Sequence, residues 1–415
     1  MTLKRNIVNL FLSQSASYLI PLLQFPYLTR VLGIEYFGLF VFSLSIINFL
    51  MIVTNYGFEL YLPKELAEQQ GNQSMVNAYF SQTLVVRTGL VFVCVLILAG
   101  IYIFTNYYKD HFELIGLILV SVVCNAYSFL WLYQSKEVIY LYSRIVVTIR
   151  LVGVGLVFIL IHGKADFNRL FLIIALTNAC TLLVCYVQVK KRFMIKFKLP
   201  SMRQVRELFK QSSGFFVSRL GVSVYATLGS FVVGTLSHSL TEVAYYGAAQ
   251  QLYTAGLYAM SAISTPLLPY MVRTRNYSVF FKITAVSLAV TILGACIGWL
   301  FGGQILSLVY GTNLRAAEPV LNIFMITIIL SVMGVHLGYP ALIPLGRAKA
   351  ANLSVIYAGM AQLGMIGIIM LLKVPVTAVV IAVTYLICDL VMMLYRGNVF
   401  IFSYKKLVFE ERNRC

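Results

Sequence analysis

The chain holds 415 residues, of which 60% are hydrophobic and only 11% charged, with a formal net charge of +18. Soluble domains average about 25% charged residues and 45–50% apolar ones, and no single water-soluble core hides this much apolar surface. The composition excludes a soluble globular protein and selects the bilayer as solvent, where roughly 20 apolar residues cross a hydrocarbon core of about 30 Å.

Twelve windows of that kind occur in chain order. The first six are Ile7–Thr29, Phe37–Tyr61, Tyr79–Phe104, Glu113–Tyr133, Tyr142–Ile161 and Phe167–Val189. The second six are Ser213–Leu236, Glu242–Tyr270, Phe280–Phe301, Pro319–Tyr339, Ala351–Leu372 and Pro375–Tyr395. The expected fold class is all-α: a polytopic membrane protein of twelve transmembrane helices, in two parallel six-helix bundles around a central cationic cleft. The N-terminal stretch starts basic and stays apolar up to Arg30 without a clear cleavage site. It reads as a retained first span and not as a signal peptide. The seven cysteines make no disulfide framework and read as buried thiols.

The charge is unevenly distributed. With the N-terminus in the cytoplasm, and cations at span ends counted with the side they adjoin, 23 of the 32 Lys and Arg residues fall on the inner side, six on the outer side and three deep within spans. That asymmetry predicts cytoplasmic termini. It also accounts for the basic balance without a nucleic-acid partner. Eight of the inner charges lie in the loop KKRFMIKFKLPSMRQVRELFK, which is expected to rest on anionic phospholipid headgroups.

The same loop divides the chain. The expected organisation is a six-helix lobe over 1–189, a basic linker over 190–212, a second lobe over 213–398 and a cytoplasmic tail over 399–415. IEYFGLF (Ile34 to Phe40) resembles VAYYGAA (Val243 to Ala249), each opening the second span of its half. Six spans per half give both halves the same orientation, and substrate sites of such transporters lie near the repeat interface.

Polar stripes mark four spans. Span 1 carries Asn9, Ser13, Ser17, Pro21 and Gln24; span 2 carries Ser45, Asn48, Asn55 and Glu59. Span 7 carries Ser212, Arg219, Ser223, Thr227 and Ser230; span 8 carries Gly247, Gln250 or Gln251, Thr254 and Ser261. In lipid such a stripe must meet another helix or an aqueous cavity. Arg87, Arg150 and Arg219 each lie six to eight residues past the cytoplasmic entry of an odd-numbered span. That is roughly 9–12 Å deep at 1.5 Å per residue. Arg30 stands at the opposite mouth. Arginine grips phosphate through a planar fork and keeps its charge. The candidate substrate-binding residues are therefore Arg219, Arg30, Arg87, Arg150, Gln24, Asn48 and Gln250. Each arginine alone has a competing reading, in which it snorkels to the headgroups. Asp389 and Glu59 are the candidate ion-coupling residues, and a structural hydrogen bond is the competing reading for each. His336, inside span 10, is either a proton relay or a packed neutral ring.

Three stretches carry a family resemblance: PYLTRVLGIEYFGLFVFSLSI (Pro26 to Ile46), GSFVVGTLSHSLTEVAYYGAAQQLY (Gly229 to Tyr253) and ILSLVYGTNLRAAEPVLNIF (Ile305 to Phe324). They resemble polysaccharide flippases of the MATE-like multidrug/oligosaccharidyl-lipid/polysaccharide superfamily, with bacterial O-antigen flippases the nearest group. The resemblance implies translocation of an undecaprenyl-pyrophosphate-linked oligosaccharide across the inner membrane by alternating access. Its partners would be that lipid-linked oligosaccharide, the phospholipid bilayer and other polysaccharide-assembly membrane proteins. It implies no cofactor and no catalysis. Many relatives carry an acidic residue near Leu228–Ser230, where this chain has none. Two other readings compete: a multidrug or cation exporter, which wants an acidic lumen, and a membrane polysaccharide polymerase, which wants paired carboxylates. No GxxxxGK[ST] motif indicates ATP as fuel.

Overall fold

The computed structural model describes residues 3–68 and 72–412. The side chains of 3–19, 218, 221–222, 224–227, 262, 408 and 410–412 lie outside that description, which leaves out Asn9, Ser13, Ser17, Thr227 and Cys415 of the residues named above. The chain divides into two compact units, Met1–Leu220 and Gly221–Cys415.

The first unit contains α1 (Leu3–Asn55), α2 (Phe58–Glu68), α3 (Gln73–Phe104), α4 (Phe112–Ala126), α5 (Leu130–Ser135), α6 (Ile139–Leu160), α7 (Phe167–Phe193) and most of α8 (Met202–Thr227). α1 is broken at Gly33, whose φ of 76° and ψ of 174° no helix allows. Only glycine adopts that conformation without strain. The apolar run Ile20–Glu68 has 49 residues. At 1.5 Å per residue it is roughly 74 Å long, enough for two passes of a core of about 30 Å. The core of the unit is aromatic: Phe58, Trp131 and Tyr133 are fully buried among Leu62, Leu132 and Phe129. α3 starts on Asn72, whose side chain accepts from the Ser74 N–H at 2.9 Å.

The second unit contains the end of α8, α9 (Gly229–Ser237), α10 (Leu240–Thr274), α11 (Tyr277–Leu300), α12 (Gly302–Tyr310), α13 (Glu318–Leu337), α14 (Tyr339–Leu342), α15 (Ala348–Leu371) and α16 (Ala378–Arg412). Ser239 caps α10 and Asn276 caps α11 through the N–H groups of Glu242 and Val279. Glu242 has a second task. Its Oε2 accepts from the Ala378 N–H at 2.6 Å, placing a carboxylate on the N-terminus of α16. α13 packs against α16, α11 and α10. The repeated segment of this unit opens α10 just after His238 (φ 52°), as its counterpart in the first unit opens just after Gly33.

The architecture is all-α and polytopic. Among the described residues nine helical stretches are long and apolar enough to cross a membrane. α8, α9 and α10 cover the expected seventh and eighth spans, but their arginine, serine, glutamine and tyrosine residues dilute the apolar run and they fall outside the nine. Apolar side chains face outward as they do in lipid: Ile103, Phe104 and Leu371 are 70–81% exposed. Among the described residues six cysteines are free thiols; Cys94, Cys185 and Cys388 are buried as expected, whereas Cys180 and Cys296 are exposed. The border between the units falls inside α8 at 220–221. α16 runs past Tyr395 to Arg412, so Arg396, which follows the last expected span and is among the charges counted above on the inner side, is an interior residue with 7% exposure.

Candidate functional site

The first unit gathers its charge around Glu59. α2 begins just after Gly57, which has a φ of 77°, and Glu59 sits in its first turn. A Cβ on Gly57 would lie 2.8 Å from both Phe215 Cβ and the Phe216 backbone nitrogen. The missing side chain is what lets α8 approach this closely. Aromatic stacking sets the register: Tyr56 is sandwiched between Phe209 (4.3 Å) and Phe216 (4.5 Å), two turns apart on α8. One turn beyond Phe215, Arg219 Nη2 then lies 3.9 Å from Glu59 Oε2, with its side chain half exposed. Arg219, a candidate substrate-binding cation, thus has an acidic partner. Glu59, an expected ion-coupling residue, stands here as an arginine's counter-charge.

Arg87 approaches from α3 and is 2% exposed. Its Nη1 donates to the Ser128 carbonyl at 2.6 Å, and its guanidinium lies 5.5 Å from the Phe58 ring centre. Ser128 stands in the break between α4 and α5, where the helix leaves carbonyls unpaired. Arg87 therefore caps a helix break, while its Nε is buried without a hydrogen-bond partner. Tyr142 on α6 lies within electrostatic reach of Glu59, Arg87 and Arg150. Arg219 pairs with Glu59 and Arg87 lies within electrostatic reach of the same carboxylate, while Arg150, exposed like Arg219, lies within reach of Tyr142. Arg30 is elsewhere. It lies exposed near the Gly33 break, close to where Lys164 Cε lies 3.5 Å from a Cβ built on Gly33. Gln24 is half-buried and Asn48 exposed on α1.

The second unit holds a separate polar network that the sequence only hinted at. Asp389 is 1% exposed and accepts a hydrogen bond from Ser331 Oγ. Ser331 Oγ lies 2.8 Å from the Tyr253 hydroxyl, which lies 3.3 Å from that of Tyr385. The other oxygen of Asp389, Oδ1, is buried without a hydrogen-bond partner. Two turns along α16, Arg396 donates to Gly334 O (2.6 Å), Ser354 Oγ (2.8 Å) and Ala351 O (3.4 Å). His336 is fully buried, with Nε2 2.9 Å from Ser264 Oγ and Nδ1 2.9 Å from Thr284 Oγ1. Both ring nitrogens are thereby engaged in packing. Gln250 lies 3.5 Å from Ser230 across α9 and α10. Other stripe residues serve their own helices: Ser45 donates to Phe42 O and Ser261 to Tyr258 O.

The chain shares its fold with solved structures of membrane proteins. "Lipid II flippase MurJ, inward closed conformation" superposes with a TM-score of 0.73 at 13% identity, over 96% of this chain and 87% of that one. An inward-facing multidrug resistance MATE family transporter superposes at 0.67 with 12% identity, over 95% of this chain and 96% of that one. The profile of the family described as "Polysaccharide biosynthesis protein" matches residues 3–275, and the chain belongs to that family. Two curated relatives bear the name "Putative O-antigen transporter". That of Escherichia coli (strain K12) is 26% identical over 269 residues, covering 65% of each chain, just under two thirds of the relative's length. That of Shigella dysenteriae is 26% identical over 353 residues, covering 84% of this chain and 88% of the relative.

Proposed function

We propose that this protein is a flippase, not an enzyme, and that it moves an undecaprenyl-pyrophosphate-linked O-antigen oligosaccharide from the cytoplasmic to the periplasmic leaflet of the inner membrane by alternating access. The observation that carries the reading is the Arg219–Glu59 pair with Arg87 in electrostatic reach of the same carboxylate and Arg150 in reach of the neighbouring Tyr142, in a chain of the polysaccharide biosynthesis family. A cationic drug would be repelled by three guanidiniums, whereas a pyrophosphate is attracted. Arg219 and Arg150 receive the pyrophosphate and Arg87 adds its field from within. Arg30 engages the cargo at the far mouth. Gln24, Asn48 and Gln250 offer hydrogen bonds to sugar hydroxyls. Asp389 couples the cycle to a cation. Both termini are cytoplasmic, with the basic 190–210 loop on the anionic leaflet.

The test is reconstitution. In proteoliposomes, lipid-linked oligosaccharide becomes accessible to an externally added glycosidase faster than in protein-free vesicles. Arg219→Ala abolishes the acceleration, and surface polysaccharide in cells, while leaving the protein in the membrane; Arg219→Lys restores part of it. Equal accessibility with and without the wild-type protein refutes the function.

A further inference from the structure

The helices α10, α11, α12 and α13 enclose an apolar cavity of about 290 Å³, wholly within the second unit. Apolar cavities of about 150 Å³ hold a benzene-sized guest, so this one has room for a short branched hydrocarbon segment. Its walls include Leu252 and Gly256 of α10, Gly294 and Gly298 of α11, Ile305 of α12 and Met325 of α13. Thr291 is the one hydroxyl in the lining, and it donates to its own helix at Ser287 O (2.7 Å). The glycines have two roles. Cβ atoms on Gly256 and Gly298 would collide with Ile328 and Met325, so these notches are filled by α13. A Cβ on Gly294 would meet nothing within 4 Å. Gly294 therefore faces open space.

A second recess lies beside the cavity. Ile305 borders both, and the recess is lined by Gly303, Gln304, Ser307, Leu308 and Arg315. Arg315 is exposed, and Glu318 reaches the same recess beside Gly303. An apolar slot that shares Ile305 with an arginine-lined recess complements an amphiphile with an anionic head. The open space beside Gly294 leaves room for a methyl-branched chain.

We infer that this groove seats the polyprenyl chain of the cargo, with its phosphate at Arg315 and Gln304. The inference rests on the lipid-linked reading above. In the orientation proposed there, the recess lies at the periplasmic end, on the product side. The cationic cluster of the first unit handles the headgroup during passage; this groove holds the tail and its phosphate after it.

The experiment is photocrosslinking. Purified protein with a benzophenone amino acid at position 294 is reconstituted in phosphatidylethanolamine and phosphatidylglycerol vesicles doped with undecaprenyl phosphate. After irradiation the adducts are identified by mass. A second protein carries the probe at Phe92, an outward-facing residue of α3 in the other unit. The expected result is enrichment of undecaprenyl phosphate at 294 by about tenfold over its mole fraction, the size of one charge-assisted hydrogen bond, and no enrichment at 92. Arg315→Ala, or undecaprenol in place of the phosphate, removes most of the enrichment; Glu318→Gln increases it. Phospholipid adducts at 294 in proportion to mole fraction would make the groove ordinary annular surface and overturn the inference. This readout needs no transport, so it stands even if flipping fails. Conversely, Gly294→Phe fills open space and leaves the fold intact. If the wild type flips and this variant flips equally fast, the groove is refuted while the flippase reading survives.

Discussion

Arg219 exposes half its side chain and faces Glu59 at 3.9 Å. An ion pair that open to solvent is worth about 1 kcal/mol or less, so Glu59 restrains the guanidinium without neutralising it. The two residues should therefore act in opposite directions on an anionic cargo. Glu59→Gln is expected to tighten binding of undecaprenyl pyrophosphate to the purified protein by up to about fivefold, the equivalent of about 1 kcal/mol. Arg219→Ala should weaken it by about tenfold or more. Titration in detergent reads both, and a pair of unchanged affinities would mean the cargo never meets this pair. Arg87 is a different case. Its buried bond to Ser128 O is one of the charged kind, worth about 1.5–3 kcal/mol. Arg87→Ala should lower the thermal unfolding midpoint and the amount of protein in the membrane, with Arg87→Lys intermediate. An Arg87→Ala variant as stable as wild type would contradict the capping role assigned to it.

At the scale of elements, two glycines with left-handed backbone divide position from stability. Gly33 breaks α1, and a Cβ there would touch only the flexible end of Lys164 at 3.5 Å. Gly33→Ala should cost about 1–3 kcal/mol in backbone strain, visible as a lowered unfolding midpoint, with transport per folded molecule kept. At Gly57 a Cβ would meet the Phe216 backbone nitrogen at 2.8 Å, which no rotamer relieves. Gly57→Ala should push α8 away and carry Arg219 out of register with Glu59. Transport per folded molecule would then fall as in Arg219→Ala; retained transport would show that the register is not needed. Much of this architecture was legible in the chain. The apolar windows show most of the helices because length and hydropathy are one-dimensional properties. Arg219 stood out as a cation in an apolar run. Its pairing with Glu59 did not, since it depends on the Tyr56 sandwich between Phe209 and Phe216. Arg396 was misjudged because the apolar window ends at Tyr395 while the helix continues to Arg412. Ser331, Tyr253 and Tyr385 gave no signal, because a lone hydroxyl in an apolar helix is indistinguishable from packing until its neighbour is known.

At the scale of the whole molecule, the two charged clusters fall in different units. The arginine cluster belongs to the first and the Asp389 network to the second. A transporter that binds cargo through one and a cation through the other should lose these abilities separately. Asp389 is fully enclosed, held through one oxygen by Ser331, and its other oxygen accepts from no donor; the coupling role proposed for it rests on that geometry. An unmatched buried acceptor is costly in a structural role and useful in a binding one. Asp389→Asn keeps the shape and the Ser331 contact while removing the charge. It should bind undecaprenyl pyrophosphate as tightly as wild type and sustain basal flipping, yet lose the rate increase that an imposed proton or sodium gradient gives the wild type. Arg219→Ala should show the reverse on binding, losing cargo whatever the gradient. The two measurements are made on the same vesicles, with gradient and cargo varied independently. If Asp389→Asn responds to the gradient as the wild type does, coupling lies elsewhere and Asp389 is a hydrogen-bonding core residue. If it loses cargo binding instead, the chemistry is not divided between the units in this way.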